Sequence, residues 1–272
     1  MRTASQTVLV DQHWLAANLA DPRVRVVEVD VSPAAYNDWH IDGAVLWNIY
    51  TDLKDAAYQP VGTTELGRLI ARSGIGADST VVFYGHAPAL GLWLMKLHGH
   101  PDVRILDCSR DTWRAEGHPR TSALPEPTPG GFRLSSEDSS IRAERTAVQN
   151  AIGRPGRTLL DVRSGAEYRG ECFWPSGGME PGGRAGHIPS AVHQPIDGLY
   201  TEDGAFRPAA ELRRVFSPAV LDADGELITY CTIGGRAATA WFVLTYLLGR
   251  DHVRVYDGSW AQWGRIPSGP TR

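Results

Sequence analysis

The chain has 272 residues, 42% of them hydrophobic, and a formal net charge of −4. That apolar content suffices for packed cores and excludes the disordered class. The absence of a long basic block argues against nucleic acid or an anionic membrane surface as partner. No window approaches roughly 18 consecutive apolar residues, so no membrane-spanning helix is expected. Three cysteines, Cys108, Cys172 and Cys231, are too few and odd in number for a disulfide framework. Free thiols fit a reducing compartment, and a cytoplasmic location is expected. The opening "MRTASQTVLVDQHWL" lacks the apolar core and cleavage site of a secretory signal, so none is expected.

In chain order, "VRVVEV", "STVVFY" and "VRILD" are short, β-branched and apolar on successive residues, the pattern of strands covered on both faces. "SPAAYNDW" predicts a helix capped by Ser32 with Pro33 at its first helical position. "TTELGRLIARSG" predicts a helix capped by Thr63 or Thr64 and stopped at Gly74. The stretch "RTSALPEPTPGGFRLSSEDSS" is rich in Pro, Gly, Ser and Thr. It reads as an extended linker at 121–140, kept from helix by Pro125, Pro127 and Pro129. Further on, "ELITY" reads as a buried strand and "GRAATAWFVLTYLLG" as a helix closed by Gly249. Strands alternating with helices imply an α/β fold: a small parallel sheet flanked by helices.

The chain also repeats itself. "VRVVEVDVSPAAY" (24–36) resembles "RTLLDVRSGAEY" (157–168), and "HIDGAV" (40–45) resembles "HIPSAV" (187–192). "TVVFYG" (80–85) resembles "ELITYC" (226–231), and "VRILDCSRDTW" (103–113) resembles "VRVYDGSWAQW" (253–263). Asp161 follows Asp30 by 131 residues, His187 follows His40 by 147, Tyr230 follows Tyr84 by 146 and Trp263 follows Trp113 by 150. Four matched blocks in one order predict two copies of one domain, at 1–120 and 141–272. The jump from 131 to 147 predicts about sixteen extra residues in the second copy, around "GECFWPSGGMEPGGRAG".

One stretch carries chemistry: "LITYCTIGGRAATAWFVLTYLLG" (227–249). Cys231 falls at the carboxyl end of a parallel strand, before a helix N-terminus, where open α/β sheets bind ligands. Successive backbone N–H groups, the helix dipole and a nearby cation favour a thiolate there. Thiols in such surroundings fall from about 8.5 to roughly 3.5–7.5. Gly234 and Gly235 allow backbone angles that a β-carbon forbids, and Arg236 offers the cation. Asp161 and Arg163 follow a strand end and are candidates to brace the site. Arg184, in the insertion, is a candidate substrate contact. Cys172 could resolve an oxidised Cys231. His187 reads as structural, His86 as a surface or interdomain residue, and Trp241, Trp260 and Trp263 as core. No Cys/His spacing suggests a metal site, and no cofactor is expected.

"YCTIGGRA", "GHIPSA", "VYDGSWAQW" and "DVRSGAEY" resemble the active-site loop, the "GHIPGA" element, the C-terminal signature and the first strand of rhodanese-type sulfurtransferases. The resemblance covers nearly the whole chain as a tandem pair. It implies two rhodanese-like domains and a cysteine, here Cys231, that cycles between thiolate and persulfide. Thr232, Ile233, Gly234, Gly235 and Arg236 would hold anionic substrate and persulfide. Aligning Tyr84 with Tyr230 puts Gly85 opposite Cys231, so the first copy is expected to be catalytically silent. Cysteine-dependent phosphatases typically place five residues between Cys and Arg. Here there are four, Thr232 to Gly235, and the shorter loop favours a sulfur atom. The loop lacks the "CGSGVT" form usual in mercaptopyruvate enzymes, which favours thiosulfate as donor and a thiophilic acceptor such as cyanide or a thiol. It also departs from "CRKGVT", with Thr232 and Ile233 where two cations are common, and Glu167 stands where some tandem enzymes have Arg. A mercaptopyruvate enzyme, a persulfide relay to a protein acceptor and a non-catalytic binding module therefore remain as alternatives.

Overall fold

The short β-branched runs form strands and the alanine- and leucine-rich runs form helices in the computed structural model, which describes residues 8–222 and 224–265. Residues 1–7, on which the expectation about a leader rests, lie outside the described residues. So do 266–272 at the end of the second predicted domain. The chain divides into two units. The first comprises Met1–Asp55, Val61–Glu137 and Tyr200–Phe206; the second comprises Ala56–Pro60, Asp138–Leu199 and Arg207–Arg272. Each unit thus includes a short piece from the other half of the chain, which continuous ranges do not capture.

The first unit holds strands β1 (Leu9–Val10), β2 (Val24–Asp30), β3 (His40–Ile41), β4 (Val45–Asn48), β5 (Thr80–Gly85), β6 (Val103–Leu106) and β7 (Arg120–Thr121). Five of them form a parallel sheet in the order β1-β6-β5-β2-β4, while β3 and β7 pair antiparallel. Its helices are α1 (Gln12–Asn18), α2 (Ala34–Asp38), α3 (Thr63–Arg72), α4 (Pro88–Leu97) and α5 (Arg110–Ala115). Two predicted caps sit one residue off. Helix α2 starts after Pro33, and Ser32 Oγ accepts from the Ala34 N–H. Gly62 rather than Thr63 precedes α3. Gly74 does end α3, with φ +70°. Helix α4 is buried on nearly all sides: Leu90, Leu92, Trp93 and Met95 are fully covered, each contributing about 1.5–3 kcal/mol of apolar burial.

The stretch 121–137 carries no helix but is bound to the first unit rather than free of it. The Gly130 N–H donates to Ala71 O and the Phe132 N–H to Ile75 O. A β-carbon on Gly130 would sit 2.1 Å from Ile75 O, so only glycine allows this close approach.

The second unit holds β8 (Arg157–Asp161), β9 (Val192–His193), β10 (Glu226–Tyr230) and β11 (Val253–Val255), parallel in the order β11-β10-β8-β9. The counterpart of β1 shrinks to a single parallel bridge, Arg142 to Val255. Its helices are α6 (Arg145–Ala151), α7 (Gly165–Arg169), α8 (Ala209–Val215), α9 (Pro218–Leu221), α10 (Gly235–Phe242) and α11 (Ser259–Trp263). Helix α10 runs into a π-helical turn at Val243–Leu247, and Gly249 follows with φ +72°. No described helix is long and apolar enough to cross a membrane.

The repeat extends to individual hydrogen bonds. In the first unit, His40 Nδ1 meets Tyr36 O at 2.9 Å and the rings stack. In the second, His187 Nδ1 meets Tyr168 O at 2.9 Å and those rings stack too. Tyr84 OH accepts from the Ile41 N–H, and Tyr230 OH from the Ile188 N–H. These matches correct the sequence alignment. Tyr84 pairs across the sheet with Glu28, and Tyr230 with Asp161, so Glu28, not Asp30, is the counterpart of Asp161. Tyr36 to His40 spans 4 residues and Tyr168 to His187 spans 19, so the insertion is 19 − 4 = 15 residues rather than sixteen.

Candidate active site

Strand β10 carries Cys231 to the carboxyl edge of its sheet, and the chain turns there into α10. Gly234 makes the turn with φ +100°, and a β-carbon on it would meet Asp257 O at 2.9 Å. Glycine is therefore required twice over, by angle and by space. The turn aims the Gly234 N–H at Cys231 Sγ, 3.1 Å away. A backbone N–H on sulfur stabilises its anionic form without needing a side-chain base.

The cysteine is held from behind by the segment leading into α11. The Cys231 N–H donates to Ser259 Oγ at 3.1 Å, and Ser259 Oγ donates to Tyr256 O at 2.8 Å. The Trp260 N–H donates to Cys231 O and the Ala261 N–H to Thr232 O. Ser259 takes a left-handed backbone, φ +51°, which a non-glycine residue adopts only when its surroundings compel it. Cys231, Thr232, Gly234 and Gly235 are buried, so Ile233 and Arg236 form the loop's partly open face.

Arg236 does not stand free as a cation for substrate. Its guanidinium donates to both oxygens of Glu167, at 2.8 and 2.7 Å, and to Thr232 Oγ1 at 2.8 Å. Thr232 Oγ1 in turn donates to Glu167 Oε1 at 2.6 Å. Ser164 caps α7 and donates to Glu167 from both its N–H and its hydroxyl. Burial of Glu167 works to raise its pKa, but the Arg236 contacts, with help from Thr232 and Ser164, bring it down to about 2. Burial likewise opposes the charge on Arg236, and Glu167 together with the nearby Cys231 sulfur outweighs it and pushes the pKa up. The loop's cation is therefore largely neutralised, and Thr232 is the hydroxyl that joins the pair. Sequence reading missed this role of Glu167, although the capping signature Ser164-x-x-Glu167 marked its carboxylate as positioned.

The remaining candidates lie behind the loop. Asp161 and Arg163, both fully buried, pair with each other: Arg163 Nε and Nη2 reach the carboxylate at 2.9 and 2.6 Å. Arg163 also donates to Gly186 O and lies 4.6 Å over the Trp260 ring. Arg184 donates to Trp263 O at 2.8 Å, while its own carbonyl accepts from Trp260 Nε1. These residues tie the strand end, the insertion and α11 into one frame. Trp241, Trp260 and Trp263 are buried, and Cys108, Cys172 and Cys231 are all free thiols.

The matching position of the first unit is crowded and strained for a side chain. Gly85 has φ +101°, and a β-carbon there would lie 3.0 Å from both Glu28 Cγ and Val29 O. Glu28, ion-paired with Arg110, occupies the space beside Gly85. A cavity of about 420 Å³ at this strand edge is lined by His86 and Cys108 among others. Burial and the acidic neighbours Glu116 and Asp107 push the Cys108 thiol up to about 12, so it stays protonated near neutral pH.

Two parallel α/β units, one with a thiol cradled at a strand end and one without, define a tandem protein with a single cysteine site of this kind among the described residues. The rhodanese-like domain family matches residues 11–116 and 144–265, and the chain belongs to it. It is 39% identical to sulfur carrier protein TtuD of Thermus thermophilus, over 99% of this chain and 98% of that one. It is 38% identical to a Mycolicibacterium smegmatis protein named "Putative thiosulfate sulfurtransferase", over 98% of each. Among solved structures, an anaerobic ergothioneine biosynthesis enzyme from Chlorobium limicola matches with a TM-score of 0.82 at 23% identity, covering 100% of this chain and 71% of that one. YnjE matches with a TM-score of 0.81 at 23% identity, covering 97% of this chain and 68% of that one. At that identity the two structures speak to the fold alone.

Proposed function

We propose that the protein is a sulfurtransferase that carries sulfane sulfur on Cys231 and takes it from thiosulfate. The observation that carries the reading is the Gly234 N–H seated 3.1 Å from Cys231 Sγ at the end of β10. In the first step the Cys231 thiolate attacks the outer sulfur of thiosulfate. The new Sγ–S bond forms as the S–S bond of the donor breaks, and its electron pair leaves with sulfite. In the second step a thiophilic acceptor attacks the outer sulfur of the persulfide. The Sγ–S bond breaks, and its electrons return to Cys231 as thiolate. This is covalent, two-step catalysis, and the loop N–H groups hold the anions by electrostatic preorganisation. Asp161, Arg163 and Arg184 act as supports, since Arg163 bonds Asp161 and Gly186 O and Arg184 bonds Trp263 O rather than the loop.

A second reading, relay of the persulfide sulfur to a protein acceptor, is favoured by the 39% identity to a protein named as a sulfur carrier. The Glu167–Arg236 pair also supports it: with its cation neutralised, the loop attracts a doubly charged donor less than an open arginine would. The test is a cyanide-acceptor assay with thiosulfate and mercaptopyruvate in parallel, on the native chain and on Cys231→Ala. Thiosulfate is expected to be the better donor, and Cys231→Ala to be inactive. Full turnover by Cys231→Ala sinks the mechanism, and a strong preference for mercaptopyruvate sinks the donor assignment.

A further inference from the structure

The first unit brings together three metal-ligating side chains that lie far apart in the sequence. His13 stands in the first turn of α1, while Glu116 and His118 follow α5. Gly117, between the latter two, has φ +75°. It closes the last turn of α5, where the Gly117 N–H donates to Arg114 O and the His118 N–H to Trp113 O. One donor atom from each of His13, Glu116 and His118 lies within 4.8 Å of the other two. His118 Nε2 is 3.0 Å from Glu116 Oε2.

Two further contacts prepare the set. The neighbouring residue on α1, Gln12, donates from its amide to Glu116 Oε1 at 3.2 Å, fixing one carboxylate oxygen while the other faces His118. The His118 ring packs 4.6 Å from the Trp113 ring and 5.7 Å from His13. A support that orients a ligating carboxylate and a packed imidazole is the kind of outer shell that metal sites use. Ligand atoms around a tetrahedral zinc ion stand roughly 3.3–3.5 Å apart, as bond lengths of about 2.0–2.2 Å require. The Glu116–His118 edge is already near that value. The wider spread to His13 closes by rotation of an exposed side chain.

The geometry points to a surface site for a divalent transition metal, Zn²⁺ or a relative of similar preference, held by His13, Glu116 and His118 with the fourth position open to water. Two imidazoles and one carboxylate suit Zn²⁺, Ni²⁺ or Cu²⁺ and disfavour Mg²⁺ and Ca²⁺, which take all-oxygen shells. The site ties α1 to the chain after α5. It is independent of the Cys231 chemistry, because its ligands belong to the first unit. Sequence spacing could not show it, since His13 and Glu116 are 103 residues apart.

The test is titration of the full-length chain with Zn²⁺ alone by calorimetry, and with Co²⁺ by visible absorption, alongside melting curves. One equivalent is expected to bind, with tetrahedral Co²⁺ bands and a rise in Tm that grows with metal concentration. His13→Ala, an exposed change that leaves the core untouched, and Glu116→Gln should each weaken binding roughly tenfold or more. Both should remove the Tm rise. No saturable binding below about 1 mM, or unchanged affinity in His13→Ala and Glu116→Gln, overturns the site. Binding that survives those variants would place the metal on thiols instead.

Discussion

Replacing Glu167 by glutamine keeps the shape of the loop's buried anion and removes its charge. Glu167 is fully buried and accepts both arms of Arg236, the Thr232 hydroxyl and two donors of Ser164. Glutamine supplies one acceptor oxygen and turns an amide NH₂ toward groups that also donate. The magnitude follows from the carboxyl's pKa of about 2 against an ordinary 4.5, which corresponds to roughly 3 kcal/mol of stability at neutral pH. The folded pKa is the lower one, so the contribution is complete above about pH 4.5 and disappears as pH falls through about 2. By pH 3 about 2 of those roughly 3 kcal/mol should be gone. The assay is urea denaturation of both proteins at a series of pH values from 7 to 3. The native chain should exceed Glu167→Gln by roughly 3 kcal/mol at pH 7, and the gap should shrink toward about 1 kcal/mol at pH 3. A gap that stays constant over that range refutes the claim that the ionised carboxylate holds Arg236. In the same variant the released guanidinium should lower KM for thiosulfate, because the loop regains an open cation.

Thr232→Val removes the hydroxyl that links Glu167 to Arg236; a loss of about 1–2 kcal/mol is expected in denaturation, with reduced turnover. Ser259→Ala leaves the buried Cys231 N–H without its acceptor, at a cost of about 1–3 kcal/mol, and should slow sulfur transfer from thiosulfate measured in the cyanide assay. Gly85→Cys should not create a second active thiol: its β-carbon would sit 3.0 Å from Glu28 Cγ and Val29 O on a left-handed backbone of φ +101°, so lower Tm and no second sulfur adduct by mass spectrometry are expected. Arg163→Met strands the buried Asp161 charge, which should cost about 3–5 kcal/mol in stability while leaving the thiosulfate KM of the remaining folded enzyme close to native.

The repeat, the parallel sheets and the cysteine loop were all legible in the sequence, because each depends on local pattern: β-branched runs, glycines at turns and blocks in conserved order along one chain. The opposing role of Glu167 was not. Glu167 and Arg236 are 69 residues apart, and only the folded register of β8 beside β10 brings them together. The missing thiol of the first copy was readable from Gly85, but the crowding there comes from Glu28 and Val29, and the alignment by sequence displaced Glu28 by two positions. The exchange of Ala56–Pro60 and Tyr200–Phe206 between units was invisible because neither piece has a periodic pattern. Phe206 is held in the first unit by its N–H to Asp107, and Thr112 by its hydroxyl to Asp203 O. These are long-range bonds that no window of sequence displays.

The central claim is that Cys231 itself carries the transferred sulfur. Mass spectrometry of the protein after exposure to thiosulfate and removal of excess donor tests it most directly. One added sulfur atom on the peptide containing Cys231, discharged by cyanide and absent from Cys108 and Cys172, is the predicted result. A native chain that turns over thiosulfate with no sulfur on Cys231, or with the adduct on another cysteine, would contradict it.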